Sequence, residues 1–389
     1  VLDWDQTRTA LAGERLPALV VDLDAFDRNV ERVAAAARGT GKTVRVGSKS
    51  LRSLALIRRV LDHDPVFHGI LAFDPDEAAW LLETSPAAHR DVLLAYPSLH
   101  GPALARMARA AETARGLFVV DSVEHLEALA RLPRPRAVID LDVSLHLGVR
   151  AHLGVRRSPL RTADDVRLLL ERARRFPAIE LVGLLAYEAH IAGLLGQGIA
   201  QRAFRRAAFP AVSALRAEAV RALKDAGVRG PLVNAGGTGS LALSLRDPSA
   251  TEVTVGSGFL CPHLFDGASE LGLEPAVFVA LEVCRVPDAD HVTARGGGYV
   301  ASGEAGPSRL PVPYLPRGMA LVGLEGAGEV QTPLFVRDAE RAPRAGDPVL
   351  LRPAKAGEIA ERFAEHLWLS GGRIVARTPT YRGEGRTFL

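Results

Sequence analysis

Between residues 43 and 257 short apolar runs rich in Val, Ile and Leu alternate with stretches of helical periodicity, the signature of parallel βα units. Eight runs read as strands: residues 43–48, 68–73, 91–96, 116–121, 136–143, 180–187, 231–235 and 251–256. Helix starts separate them. Asp74-Pro75-Asp76-Glu77 opens one helix, Asp121-Ser122-Val123-Glu124 another and Ser158-Pro159 a third, each placing a side-chain acceptor or a proline where the first turn needs it. Eight such strands predict an α/β chain with a closed (β/α)8 barrel. After about Glu274 the rhythm changes to apolar segments broken by Gly and Pro, at 277–286, 319–324, 348–351 and 366–369, which predict a separate C-terminal β domain. The run 16–23 precedes the first barrel helix, expected over 24–38, and reads as a strand of that β domain. The expected division is therefore 24–270 for the barrel and 1–23 plus 271–389 for the β domain.

Composition narrows the classes of function. The 389 residues are 48% hydrophobic and 24% charged, enough apolar material for a substantial core. Lys plus Arg number 48 against 45 Asp plus Glu, a net +3 without long blocks of one sign, so nothing calls for nucleic acid. The longest apolar runs are too short to span a bilayer and the first residues lack the basic and apolar regions of a signal peptide, so no membrane and a cytoplasmic location are expected. Cys261 and Cys284 form no CxxC pair. Lysine is scarce: only Lys42, Lys49, Lys224 and Lys355 occur, which makes each informative.

The chemistry of a (β/α)8 barrel gathers at the carboxyl ends of its strands. Lys49 directly follows the first predicted strand, where partial desolvation lowers an amine's pKa and makes it a Schiff-base nucleophile; the plainer alternative is a solvated lysine in a loop. The seventh strand runs into Asn234-Ala235-Gly236-Gly237-Thr238-Gly239-Ser240 and the eighth into Gly256-Ser257-Gly258. Glycines there let backbone N–H groups approach an anion, and Thr238 and Ser240 add hydroxyls. Each loop alone is usually just a turn, and neither fits a Walker motif. Together they match the phosphate site that barrels build after strands seven and eight. An amine at strand one facing a phosphate cradle at strands seven and eight is a gap that pyridoxal phosphate spans.

The segment Leu16-Pro-Ala-Leu-Val-Val-Asp-Leu-Asp, the strand ending in Lys49, Gly154-Val155-Arg156, the Gly236-Gly237-Thr238-Gly239 loop and the C-terminal β domain resemble the D-threonine aldolase and D-serine dehydratase group. These are pyridoxal-phosphate enzymes of the alanine racemase fold, fold type III. Arg156-Arg157-Ser158-Pro159, Tyr187-Glu188 and Tyr381-Arg-Gly-Glu-Gly are closest to the amino acid deaminase/aldolase branch. The resemblance implies that Lys49 holds the cofactor, that Gly236, Gly237, Thr238, Gly239, Gly256, Ser257 and Gly258 hold its phosphate, and that Tyr187 lies beside it. Where the group often has an arginine facing the pyridine nitrogen, two residues before Gly-Val, this sequence places His152. The group also carries a metal pair, His and then Cys or Asp two residues on, in a Pro-x-His-x-Cys setting. Here the matching stretch is Pro353-Ala354-Lys355-Ala356-Gly357, which lacks both ligands, so a divalent metal is in doubt and Lys355 is a candidate to place a fixed charge there. His366 with Glu365, and Cys261 with His263, lack a ligand spacing that outweighs core or surface roles.

These features lead to a lyase expected to act on a small-molecule D-amino acid, β-hydroxylated, by aldol-type carbon–carbon cleavage or transfer. Dehydration with deamination is the first alternative. A racemase is the second; it needs a second base opposite Lys49, for which Tyr299, in Gly296-Gly-Gly-Tyr, is the candidate, reaching the site from the β domain of a partner subunit in a homodimer. A non-catalytic carrier, or a phosphate-binding barrel without the cofactor, are the readings outside enzymology.

Overall fold

A computed structural model gives the structure of the chain and describes residues 2–147, 151–194, 198–267, 270–337 and 342–388. The strands, in chain order, begin with β1 Ala18–Asp22, β2 Thr43–Gly47, β3 Phe67–Ala72, β4 Asp91–Leu94, β5 Arg115–Val120 and β6 Arg136–Asp140. They continue with β7 Leu145–Leu147, β8 Ala151–Leu153, β9 Glu180–Leu185, β10 Leu232–Ala235 and β11 Glu252–Val255. The eight strands expected from the alternating pattern close into a parallel barrel in the order β10-β11-β2-β3-β4-β5-β6-β9, with β9 returning to β10. Side-chain alternation explains its two layers of packing. Val44, Val46 and Val253 point outward into the helices, whereas Leu93, Leu117, Val119, Val138 and Leu185 fill one side of the interior. The other side of the interior is polar and contains Arg45, Asn234, Glu252 and Thr254.

The second unit is a mixed sheet. Its strands are β12 Val277–Asp288, β13 His291–Arg295, β14 Val312–Leu315, β15 Met319–Leu321, β16 Gln331–Val336, β17 Pro348–Arg352, β18 Glu365–Ser370 and β19 Arg373–Pro379. The path runs β15-β16-β13-β12-β1-β18-β19, and β17 joins β12 to β14. β1 pairs antiparallel with β12 and parallel with β18, so the chain starts in this sheet, leaves for the barrel and returns. Four of the strands, β13, β14, β16 and β19, are absent from the sequence expectation. β19 alternates exposed and half-buried along its whole length, and β14 and β16 carry prolines, patterns that read as loops in one dimension.

One helix start needs correction. Ser158-Pro159 does not open a helix: the Ser158 hydroxyl donates to the Asp140 carbonyl and accepts from the Leu160 amide, which holds a turn. The helix is Ala163–Ala173, capped by Thr162, whose Oγ1 accepts from the Asp165 amide at 3.1 Å while Asp165 accepts from the Thr162 amide at 2.9 Å. Among the described residues no helix is long and apolar enough to cross a membrane.

Candidate active site

The carboxyl ends of the barrel strands enclose a cavity of about 230 Å³. Interior positions of the strands make its floor: Leu71, Ala95, Asp140, Leu185, Asn234 and Thr254. Its walls come from the segments that follow the strands, among them Lys49, Ser50, Tyr96, Arg157, Tyr187, Gly236, Gly237, Thr238, Gly256 and Ser257. Lys49, Tyr187 and five of the seven predicted phosphate-loop residues are therefore brought together around one space.

Lys49 lies in the single 3-10 turn Ser48–Ser50 that ends β2, with its Nζ 6.0 Å from the centre of the Tyr96 ring. The Ser50 and Ser257 hydroxyls are 3.0 Å apart and tie the lysine turn to the loop after β11. The Thr238 hydroxyl accepts from the Gly258 amide at 2.9 Å and ties that loop to the one after β10. Gly258 and Gly239 stand behind the cavity rather than on it. The Gly236 amide donates to Glu188 at 3.2 Å and the Gly237 amide to Ser240 Oγ at 3.1 Å, so both amides are satisfied within the protein. The amides of Thr238 and Ser257 donate to no group among the described residues and are left for an anion. Gly237 packs against Tyr187: a Cβ there would come within 2.8 Å of Cε2 of the ring.

Beneath the loops a charged cluster fixes their position. Arg216 is fully buried and pairs with Glu188 and, at 2.6 Å, with Asp247; Ser244 Oγ donates to Glu188 at 2.5 Å. Burial works against the charge of Glu188, yet Arg216 and the Ser240 and Ser244 hydroxyls hold its carboxyl below the usual range.

The opposite wall was not foreseen. Arg157 reaches over the mouth with its guanidinium 5.3 Å from the centre of the Tyr96 ring and 5.8 Å from that of Tyr187. Below it Asp140 ends β6, and burial, with the Asp121 carboxylate adding to it, pushes its carboxyl up to about 7 against the pull of Arg157. Burial likewise pushes the Tyr187 phenol up to about 12. Arg157 was visible only as one of two adjacent arginines, and no spacing told which one faces inward.

Three predicted site residues lie elsewhere. His152 is in the β7–β8 hairpin, 3.3 Å by its Nε2 from the Val155 carbonyl, and is not on the cavity. The chain after Asp140 turns outward into this hairpin and comes back to the mouth only at Arg157. Lys355 donates to Ser302 Oγ at 2.7 Å and to Glu358 Oε1 at 2.9 Å, again off the cavity. Tyr299 is half-buried with its ring 5.6 Å from that of Phe363, and it does not face Lys49 within this chain.

The residues at 353–357 do not fit a metal: the only side-chain donor is the Lys355 amine, which is paired with Glu358. Among the described residues no group of three or more His, Cys, Asp or Glu side chains is placed to hold one. His263 meets the Leu310 carbonyl at 2.8 Å, and Cys261 and His366 are buried.

The alanine racemase N-terminal domain family matches residues 21–260, and the chain belongs to that family. It is 26% identical over 315 residues to a D-threonine aldolase of Arthrobacter sp, covering 77% of this chain and 76% of that one. Its fold is similar to that of D-threonine aldolase from Filomicrobium marinum, with a TM-score of 0.80 at 20% identity and 95% of each chain covered. D-threo-3-hydroxyaspartate dehydratase from Delftia sp. HT23 gives a TM-score of 0.75 at 22% identity, covering 95% of this chain and 98% of that one. The resemblance to the D-threonine aldolase group, drawn from motif order, holds.

Proposed function

We propose that the chain is a pyridoxal-phosphate-dependent lyase acting on a β-hydroxylated D-amino acid by aldol-type carbon–carbon cleavage or transfer. The observation that carries this reading is the meeting of a primary amine, two anion-directed loops and a guanidinium around one cavity. That donor set fits pyridoxal phosphate. Lys49 would join its aldehyde carbon, and the Thr238 and Ser257 amides would take the phosphate. Bound there, the group supplies an electron sink for the bonds at the substrate Cα.

The chain's own residues divide the remaining work. Arg157, held over two aromatic faces, is placed to take an amino-acid carboxylate and orient it. Lys49, at the end of β2, and Asp140, at the end of β6, stand on opposite sides of the eight-stranded closure and can exchange protons from two directions. Retro-aldol cleavage passes the β-hydroxyl proton to a base, breaks Cα–Cβ to release an aldehyde, and returns a proton to Cα to leave glycine. One observation favours elimination as the second reading: a carboxyl near 7 at Asp140 can give a departing hydroxide its proton. The racemase reading requires Tyr299 from a second copy, and hence a homodimer.

Incubation of the pyridoxal-phosphate-loaded chain with D-threonine and D-phenylserine tests the choice. Aldehyde plus glycine supports cleavage, whereas ammonia plus a 2-oxo acid moves the assignment to dehydration. Solvent deuterium entering Cα with loss of optical activity, in a protein that light scattering finds dimeric, would move it to racemisation.

A further inference from the structure

A phosphate monoester brings about two negative charges, and the cavity sets little against them. Among the described residues the cations that line it are Lys49, whose amine the cofactor reading commits to the aldehyde carbon, and Arg157, on the wall that ends β6. Beneath the loop after β10 the balance is already negative, because the one guanidinium of Arg216 faces the two carboxylates of Glu188 and Asp247. Backbone amides direct an anion there without neutralising it. The missing charge stands behind the loop. A hollow of about 50 Å³ lies between the first two turns of the long helix Ile199–Asp225 and the far side of the segment 238–246. Four guanidiniums, those of Arg202, Arg205, Arg206 and Arg246, line it against the one carboxylate of Glu270. Arg205 is buried and fixed by the Ile191 and Leu194 carbonyls. Glu270 approaches Arg206 only to 3.9 Å, and Arg202 and Arg246 pair with no carboxylate among the described residues. Arg202, Arg205 and Arg206 fall three and four residues apart on one helix face, where like charges repel unless an anion is near. Thr238 borders both the cavity and the hollow, so a single loop separates these arginines from the anion-directed amides.

We infer that Arg202, Arg205, Arg206 and Arg246 are positioning residues that supply the counter-charge for the cofactor's phosphate through this loop, drawing it in and holding it without touching it; the inference rests on the cofactor reading above. The amides fix where the phosphate sits, and the arginines set how strongly its charge is attracted. One loop of backbone is thinner than the screening length of about 8 Å at physiological salt, so the field of the cluster reaches the amides. Two consequences follow from that division. Capture of the cofactor depends on salt, and it depends on the phosphate rather than on the ring, so pyridoxal, which carries a hydroxyl in place of the phosphate, is indifferent to the arginines.

The test is the uptake of pyridoxal phosphate and of pyridoxal by the full chain, followed by the near-visible band formed at Lys49. The double variant Arg202→Gln with Arg246→Gln removes two exposed charges and leaves the core intact. It is expected to slow uptake of pyridoxal phosphate and raise its dissociation constant roughly fivefold at about 0.01 M salt, and to match wild type at about 1 M, where the screening length is about 3 Å. Uptake of pyridoxal should be the same in both proteins, and the double variant Arg202→Lys with Arg246→Lys, which keeps the charges, should take up pyridoxal phosphate as wild type does. Equal losses for the two compounds, or a loss that salt does not erase, would overturn the inference and leave the arginines a structural role. Unchanged uptake of pyridoxal phosphate at low salt would overturn it as well. A chain that forms no near-visible band with either compound fails the cofactor reading itself, and the inference falls with it.

Discussion

Asp140 holds its proton about three pH units longer than an ordinary aspartate, up to about 7 against 3.8, because burial and the Asp121 carboxylate both oppose its charge. The unfolded chain releases that proton near 3.8, while the folded chain keeps it. Within this window the native state binds more protons, so this residue makes stability fall as pH rises, and the deficit is complete above 7. Asn mimics the protonated side chain. Asp140→Asn is therefore expected to melt at a higher temperature than wild type at pH 8 and at the same temperature near pH 3.5; equal differences at both ends would exclude the titration. Of the residues on this wall, Tyr187 could be read from the end of its strand. Arg157 and Asp140 could not, because whether a side chain after a strand faces the cavity depends on the path of the β7–β8 hairpin.

At the level of elements, the turn that carries Lys49 is held from the β domain. The short helix Ala356–Ala360 packs so closely on Ser48–Ser50 that a Cβ on Gly357 would lie 1.8 Å from the Lys49 carbonyl oxygen. The sequence presents this stretch as a metal motif without ligands; in the fold it is the floor under the turn that carries Lys49. Gly357→Ala is expected to destabilise the protein by about 1–3 kcal/mol through overpacking, and to slow borohydride-trapped attachment of pyridoxal phosphate at least several-fold by displacing the turn. Thr162→Ala serves as the control. It loses the capping box at about 1 kcal/mol, far from Lys49, and should leave cofactor attachment unchanged. Equal cofactor loss in both variants would mean that attachment reports stability alone.

Across the whole molecule the last residues return to the barrel. Tyr381 is fully buried, donates to Glu77 Oε1 at 2.9 Å, and stacks edge-on against Trp80 at 4.9 Å. Glu77 is equally buried, accepts from the Phe73 amide at 2.8 Å, and burial pushes its carboxyl up to about 7. The Tyr381 amide donates to the Arg52 carbonyl, two residues past the lysine turn, and Arg52 pairs with Glu361 of the β domain. The barrel, the β domain and the C-terminal segment thus meet around one turn. Tyr381→Phe keeps the ring and removes only the donor to Glu77, so a loss of about 1–3 kcal/mol is expected in denaturant unfolding at pH 8. An unchanged midpoint would mean that the hydroxyl adds nothing to the junction.

The barrel, and the lysine and glycine-rich loops that gather at its mouth, were legible in the sequence because each is a local signal. A buried parallel strand is a continuous apolar run, a helix start needs its cap, and a backbone that must approach an anion needs glycine. Even β1, far from its partners in the chain, was recognisable by its run of apolar residues. What the tertiary structure alone decided is which polar side chains share a space. Arg45 on β2 and the group Asn234, Glu252 and Thr254 on the neighbouring strands β10 and β11 lie nearly the length of the barrel apart in the chain, and meet only because the sheet closes. His152 and Lys355 had the right residue types but were carried away by a hairpin and a helix cap. Residue type states what a group can do; only closure of the barrel fixes its distance and direction to the others, and catalysis depends on both.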